Sequence, residues 1–200
     1  MSEKKFPVIT ITREYCAYGR TVAQALSKKL GVDFYDRDIV NKTIIETKAL
    51  DLDAKEDNAS ESNVEKFLKD MLGSIAAYSS SFDKIFEAQK GVILNMAKEP
   101  CIIVGRCANI ILKDAGIDSF DVFLYADMDH RMERCKELNP DLDEDQLEER
   151  IRKVDEDRKI LYKNFGKTNM YDVHNYDLCI NVGAHGIDKT VEMILDMISE

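Results

Sequence analysis

Three features of the chain predict an α/β fold, a mostly parallel five-stranded sheet with helices on both faces. Short apolar runs recur along its 200 residues, helical stripes separate them, and the run CIIVG at 101–105 is apolar throughout instead of alternating. A strand covered on one face alternates, whereas a parallel strand between two helical layers is apolar on both. With 44% hydrophobic residues, this length suits a single domain.

The elements follow in order. Val8 to Thr12 is a β-branched run closed by Arg13, and Thr21 to Leu30 carries Val22, Leu26 and Leu30 at helical spacing with Gly31 as its stop. Val32 to Tyr35 is a short second strand with Asp33 as a weak point, and Asp36 is placed to cap the helix after it. Residues 51–61 are acidic without an apolar period and read as a connection. Ser62 and Glu65 form a capping box ahead of the stripe Val64, Phe67, Leu68, Met71, Leu72 and Ile75, and a further helix over 82–98 leads into CIIVG. Asp121 to Tyr125 is the next strand, and Met128, Met132 and Cys135 mark the helix behind it, which Pro140 ends. Over 143–165 one stripe joins Leu147, Ile151, Val154, Leu161 and Phe165 and runs through Arg158. Asp177 to Val182 is the last strand, and Ile187, Val191, Ile194, Leu195 and Ile198 form the last amphipathic helix.

Within this frame, VITITREYCAYGRT at 8–21 has the layout of a phosphate-binding loop. Against GxxxxGK[ST], Glu14 stands at the first Gly, Gly19 at the second, Arg20 at Lys and Thr21 at Ser/Thr. Gly19 permits a close turn past a phosphate, and the N–H groups of residues 18–21 can point at an anion. Arg20 keeps the charge as a longer planar fork, and Thr21 keeps a hydroxyl suited to Mg²⁺. A strand–turn–helix connection with one glycine is also ordinary in α/β proteins, which is the plain alternative. Because ligands bind at the carboxyl ends of parallel strands, residues 13–21, 36–38, 105–107 and those after Tyr125 are expected to meet in one cleft.

Composition narrows the partners. A formal charge of −10 opposes nucleic acid, so small anions held by local cations are the expected ligands. Nine arginines cluster at 13–37 and 106–158 while nineteen lysines are spread along the chain, and a guanidinium forks onto phosphate oxygens. Arg13, Arg20 and Arg106 stand beside apolar strands, whereas Arg150 and Arg152 also fit helical salt bridges such as Glu148 with Arg152. Cys16, Cys101, Cys107, Cys135 and Cys179 are odd in number, widely spaced and contain no CxxC pair, so neither a zinc site nor a disulfide framework is supported and a reducing cytoplasm is suggested. Cys16 and Cys107 read as buried thiols, or as reactive ones if arginines lower their pKa. The three histidines share no ligand spacing and read as surface residues. No signal peptide or membrane-spanning run is expected.

Six pieces in order, ITITREYCAYGR, DFYDRDIV, CIIVGRCANIIL, DVFLYADMDHRMERC, a DEDR segment and YDLCINVG, resemble the cytidylate kinase-like family across nearly the whole chain. The resemblance implies a P-loop kinase fold with its core at 6–50, 99–138 and 176–200, a helical monophosphate-binding insertion over roughly 51–98 and an arginine-bearing lid over roughly 139–170. It further implies phosphoryl transfer from ATP, with Mg²⁺, to a nucleoside monophosphate such as CMP. Gly19, Arg20 and Thr21 match the phosphate loop, with Thr21 as the Mg²⁺ residue. Asp36 and Arg37 match the monophosphate-side turn, and Arg106 matches the Gly-Arg that holds the acceptor. Arg131, Arg134 and Arg158 fall where lid arginines steady the transferring group. Arg20, Asp36, Arg131 and Arg158 are thus the expected catalytic set, with Arg13 among the phosphate ligands, although Asp36 as an N-cap needs no catalytic role. The departures are Arg20 for Lys and Cys107 for Asp. Two other readings stand beside the kinase: a non-catalytic nucleotide- or anion-binding domain, and a homo-oligomer that uses the 62–98 helices as its interface.

Overall fold

The computed structural model describes residues 8–43 and 80–199, with side chains from 86 onward in the second segment. The acidic connection at 51–61 and the helix headed by Ser62 lie outside the described residues. Strands β1 (Val8–Arg13), β2 (Asp33–Tyr35), β3 (Cys101–Val104), β4 (Ser119–Tyr125) and β5 (Leu178–Asn181) form one sheet in the order β2-β3-β1-β4-β5, every pairing parallel. All five strands therefore end on the same edge. β4 starts at Ser119, before its apolar run, because Ser119 and Phe120 pair with Val8 and Ile9 of β1.

Between and after the strands lie helices α1 (Gly19–Leu30), α2 (Ser80–Met96), α3 (Ala108–Asp114), α4 (Met128–Leu138), α5 (Glu144–Leu161) and α6 (Val182–Ser199), with residues 37–43 also helical. Gly31 ends α1 in the left-handed conformation, φ 68°, with its N–H bonded to the Ser27 carbonyl. Asp127 caps α4, and Asp143 with Gln146 forms a reciprocal capping box on α5. The last helix begins at Val182, earlier than its apolar stripe, and is kinked at Gly186, φ 76°.

Both faces of the sheet are covered, as the apolar pattern of β3 requires. Ile9, Ile11, Ile102, Val104, Val122 and Leu124 pack on Val22, Ala23 and Leu26 of α1 and on Val191 and Ile194 of α6. On the other face Val8, Cys101 and Ile103 meet Ile93 of α2 and Ile111 and Leu112 of α3. The two threonines of β1 that share this second face are buried but satisfied: Thr10 donates to Asp121 at 2.6 Å and Thr12 lies 2.6 Å from the Tyr162 hydroxyl. A third cluster, Cys16, Cys135, Leu147 and Ile151, fastens α4 and α5 to the loop after β1.

The 143–165 stripe is not one α-helix. α5 stops at Leu161 and the chain continues as a π-helical turn over Tyr162–Gly166. The wider turn carries Tyr162 into the core, 2% exposed, where its hydroxyl also donates to Asn109 at 2.7 Å. Among the described residues, no helix is long and apolar enough to cross a membrane.

Ile102 is fully buried in β3 between β1 and β2. Ile102→Ala is expected to lower the unfolding free energy by about 2–5 kcal/mol in urea titrations. A loss under about 1 kcal/mol would mean that this layer is not close-packed.

Candidate active site

β1 delivers the chain at Arg13 to the edge where all strands end, and the loop 14–18 turns it into α1. Cys16 and Tyr18 hold left-handed backbone, φ 63° and 55°, a conformation that costs non-glycine residues energy and often marks functional turns. No side chain caps the N-terminus of α1, and no acidic residue stands in its first turn. Its leading N–H groups and the positive end of its dipole are thus available to an anion.

Glu14, which stands at the first glycine of the loop pattern, does not oppose an anion there. Its backbone N–H donates to the Leu124 carbonyl at 3.0 Å. Its carboxylate is held on the β4 side by Arg131 at 3.2 Å, the Ala126 N–H at 3.3 Å and the Tyr171 hydroxyl at 3.1 Å.

Arg13 ends β1 as a half-buried cation. Its side chain passes between Gly19 and Gly105: a Cβ on Gly19 would stand 2.8 Å from Arg13 Cγ, and one on Gly105 would overlap its guanidinium. The two glycines are needed for that passage as much as for any turn. After β3, Gly105, Arg106 and Cys107 are successively left-handed, φ 79°, 63° and 54°, so the chain turns sharply into α3 and sets Arg106 at the same cleft. Arg158 reaches in from α5, donating to the Arg13 carbonyl at 3.0 Å and lying 3.7 Å from Asp155. Arg37 stands at the start of the 37–43 helical stretch and bonds Asp38 at 3.2 Å.

These side chains line a cleft of about 410 Å³ together with Tyr15, Arg20, Asp36, Asn41 and Gln89. Its charge balance is unusual. Burial, then Arg158 and Arg106, hold the Arg13 guanidinium well below its ordinary pKa. Burial and Arg37 push Arg106 down to about 10, and burial lowers Arg158 against the pull of Asp155. Arg13 and Arg106 make no ion pair among the described residues. Two desolvated cations without an ion pair of their own, Arg13 and Arg106, are costly to hold together unless an anion completes them, even with Asp36, Asp38 and Asp157 along the same cleft.

Arg20 lies beside this cluster, exposed, with its Nε 3.1 Å from Asp36 Oδ2. Asp36 also caps the 37–43 helical stretch, its Oδ1 accepting from the Asp38 and Ile39 N–H groups at 3.0 and 3.1 Å. The capping and charge-pairing readings of Asp36 thus coexist in one carboxylate. Gly19 and Thr21 stand in the first turn of α1, and the Thr21 hydroxyl makes no hydrogen bond among the described residues.

Two expected lid arginines are placed elsewhere. Arg131 is 6% exposed and does not line the cleft: it pairs with Asp155 and Glu14, and its Nε donates to the Tyr15 carbonyl at 2.9 Å. Asp155 in turn accepts the Tyr15 N–H at 2.7 Å. Arg131 is therefore a clamp on the backbone of the loop. Arg134 sits over the Tyr18 ring at 5.2 Å and pairs with Glu137 at 2.6 Å, on the outer side of the loop. A lid-like sequence position did not distinguish cleft arginines from clamp arginines, because α4 and α5 each present more than one face.

Sequence reasoning gave Asp155, Tyr15, Asn41 and Gln89 no site role. Asp155 stood three residues before Arg158, the one available signal. Cys16 and Cys107 are buried thiols, each pushed up to about 12 by burial, which opposes a reactive thiolate. Glu148 bonds Arg152 Nε at 2.9 Å on the solvent face of α5.

A five-stranded parallel sheet of this order, with a glycine-turned loop and an arginine-lined cleft at the strand ends, is a P-loop kinase fold. The chain belongs to the cytidylate kinase-like family, whose sequence profile matches residues 8–184. Among solved structures, an uncharacterized protein from Eubacterium ventriosum ATCC 27560 superposes with a TM-score of 0.73 at 24% identity, covering 97% of this chain and 99% of the other. Shikimate kinase from Bacteroides thetaiotaomicron follows at 0.58 and 17%, covering 97% and 99%. Shikimate kinase from Acinetobacter baumannii in complex with shikimate gives 0.56 and 16%, covering 98% and 94%. At these identities the likeness shows the fold alone. No curated protein sequence matches the chain significantly.

Two outcomes test this geometry. Arg131→Met removes the nearest cation from buried Asp155 and from Glu14 and is expected to lower stability by about 3 kcal/mol in urea unfolding, since Asp155 keeps only the Tyr15 N–H and the more distant Arg158. Gly105→Ala places a Cβ where the Arg13 guanidinium lies and is expected to abolish the thermal stabilisation given by inorganic phosphate. An undiminished phosphate effect would refute the threading of Arg13.

Proposed function

We propose that the protein transfers a phosphoryl group from ATP to a small phosphate-bearing acceptor, with a nucleoside monophosphate such as CMP as the first choice. The observation that carries this reading is the convergence of Arg13, Arg37, Arg106 and Arg158 on one cleft beside the uncapped start of α1, two of them without an ion pair. Phosphoryl transfer asks little covalent chemistry of a protein: positioning and stabilisation of charge on the equatorial oxygens suffice.

The roles divide by position. The α1 amides from Gly19 onward and Arg20 take the donor phosphates, while Arg37 and Arg106 hold the acceptor phosphate. Arg13 and Arg158, which meet at the Arg13 carbonyl, lie between and stabilise the group in transit. Asp36 sets the direction of Arg20 through their ion pair. Arg131 contributes indirectly, by fixing the loop backbone at Tyr15, and Arg134 by covering Tyr18.

The residues fit Mg²⁺ arriving with ATP. Thr21 presents a hydroxyl in the first turn of α1, and an ion that arrives with ATP is bound chiefly by phosphate oxygens. Bound there, Mg²⁺ would supply charge neutralisation on the transferred phosphate.

One observation favours a second reading, an anion-binding domain without turnover: Arg20, at the position of the loop lysine, is paired with Asp36. A single experiment separates the two. With ATP, Mg²⁺ and a panel of nucleoside monophosphates, acceptor-dependent ADP release is expected, reduced by about 100-fold or more in Arg20→Ala and in Arg106→Ala. ATP-dependent thermal stabilisation without acceptor-dependent ADP would select the binding domain.

A further inference from the structure

Buried polar side chains in this fold are almost all accounted for. Thr10, Thr12, Asn109, Arg131 and Asp155 each have named partners. The exception is Asn41 Oδ1, the one buried side-chain oxygen or nitrogen without a hydrogen bond among the described residues. Asn41 is 8% exposed and lines the arginine cleft. A second amide, Gln89 of α2, is 3% exposed, lines the same cleft and makes no hydrogen bond among the described residues either.

An amide oxygen buried without a partner is costly, and a leucine would fill the Asn41 position without that cost, while Gln89 carries an unbonded amide on a side chain that is otherwise buried. The two amides come from separate elements, the 37–43 helical stretch and α2, and both border the arginine cluster. Arginines supply donors alone, whereas an amide both donates and accepts. Asn41 and Gln89 therefore add to the cleft what the arginines lack, acceptors for a ligand's O–H or N–H.

We infer that Asn41 and Gln89 are the specificity-determining residues of the acceptor subsite. They bind the uncharged body of a phosphate monoester, through adjacent donor and acceptor groups, while its phosphate lies on the arginines. This rests on the reading of the cleft as an acceptor site. The required chemistry, neighbouring donors and acceptors, occurs on the edge of a nucleobase and on the hydroxyls of a sugar. Phe86 also lines the cleft and stacks on Phe165 at 4.0 Å between centroids, so a planar base would meet an aromatic wall.

Thermal shifts of the whole chain with inorganic phosphate, ribose 5-phosphate and CMP test the inference without ATP. In the unsubstituted protein at least one organic phosphate is expected to stabilise more than inorganic phosphate does. An excess with CMP alone points to the base edge; an equal excess with ribose 5-phosphate points to the sugar. Asn41→Leu and Gln89→Met are each expected to remove that excess, weakening binding of the organic phosphate by roughly five- to tenfold. They leave the inorganic phosphate shift intact, and the unliganded melting temperature is unchanged or raised. A purely structural role for the amides would instead lower the unliganded melting temperature and leave the excess in place, which overturns the inference. Absence of any excess in the unsubstituted protein overturns it as well. ADP release reports separately on the kinase reading. Turnover with unaltered acceptor KM in both variants refutes the amide subsite alone, and a lost excess without turnover in any protein refutes the kinase alone.

Discussion

The carboxylate of Asp155 is the contact on which the site depends. It stands 5% exposed on α5 and receives the Tyr15 N–H, the Arg131 guanidinium and, at longer range, Arg158. Three elements are joined there: the loop after β1, helix α4 and helix α5. A buried charge is tolerated only when paired and hydrogen-bonded, and here the pairing forces the loop backbone into one position relative to Arg158. Loop shape is thus secured from behind, by a side chain that touches no ligand position. This compensates for the loop having one glycine where its pattern has two, since Glu14 is drawn into the same network through Arg131.

On the cleft side the electrostatics are reversed. Behind the loop each cation has a carboxylate; in front of it Arg13 and Arg106 have none among the described residues. Proteins hold such destabilised arrangements where function uses them, and other interactions must offset the cost. The packed sheet supplies that offset, with Ile9, Ile11, Ile102 and Leu124 all at 1% exposure or less. Backbone strain follows the same division, since Cys16, Tyr18, Arg106 and Cys107 are left-handed within the two turns that border the cleft.

Much of the architecture was legible in the sequence because parallel sheets have a strong local signature. CIIVG suited a doubly covered strand, Gly31 and Gly105 marked the ends they occupy, and the alternation of strand and helix set the edge where a site was expected. The π turn at Tyr162–Gly166 was hidden, because Leu161 and Phe165 continue the apolar stripe whether the backbone widens or not. What widens it is the pairing of Tyr162 with Thr12 and Asn109, each distant in sequence.

The arginines show where local information stops. Sequence alone determined that Arg13 closes a strand and Arg106 follows one, that Gly19 leads into a helix and that Asp36 caps one, since strand termini and caps are properties of neighbouring residues. Only the tertiary structure decided that Arg158 faces the cleft while Arg131 clamps the loop and Arg134 covers Tyr18. The physical reason is that α4 and α5 present arginines on several faces, and burial beside Asp155 or beside Arg13 is settled by which helix face the packed core of Cys16, Cys135, Leu147 and Ile151 leaves inward.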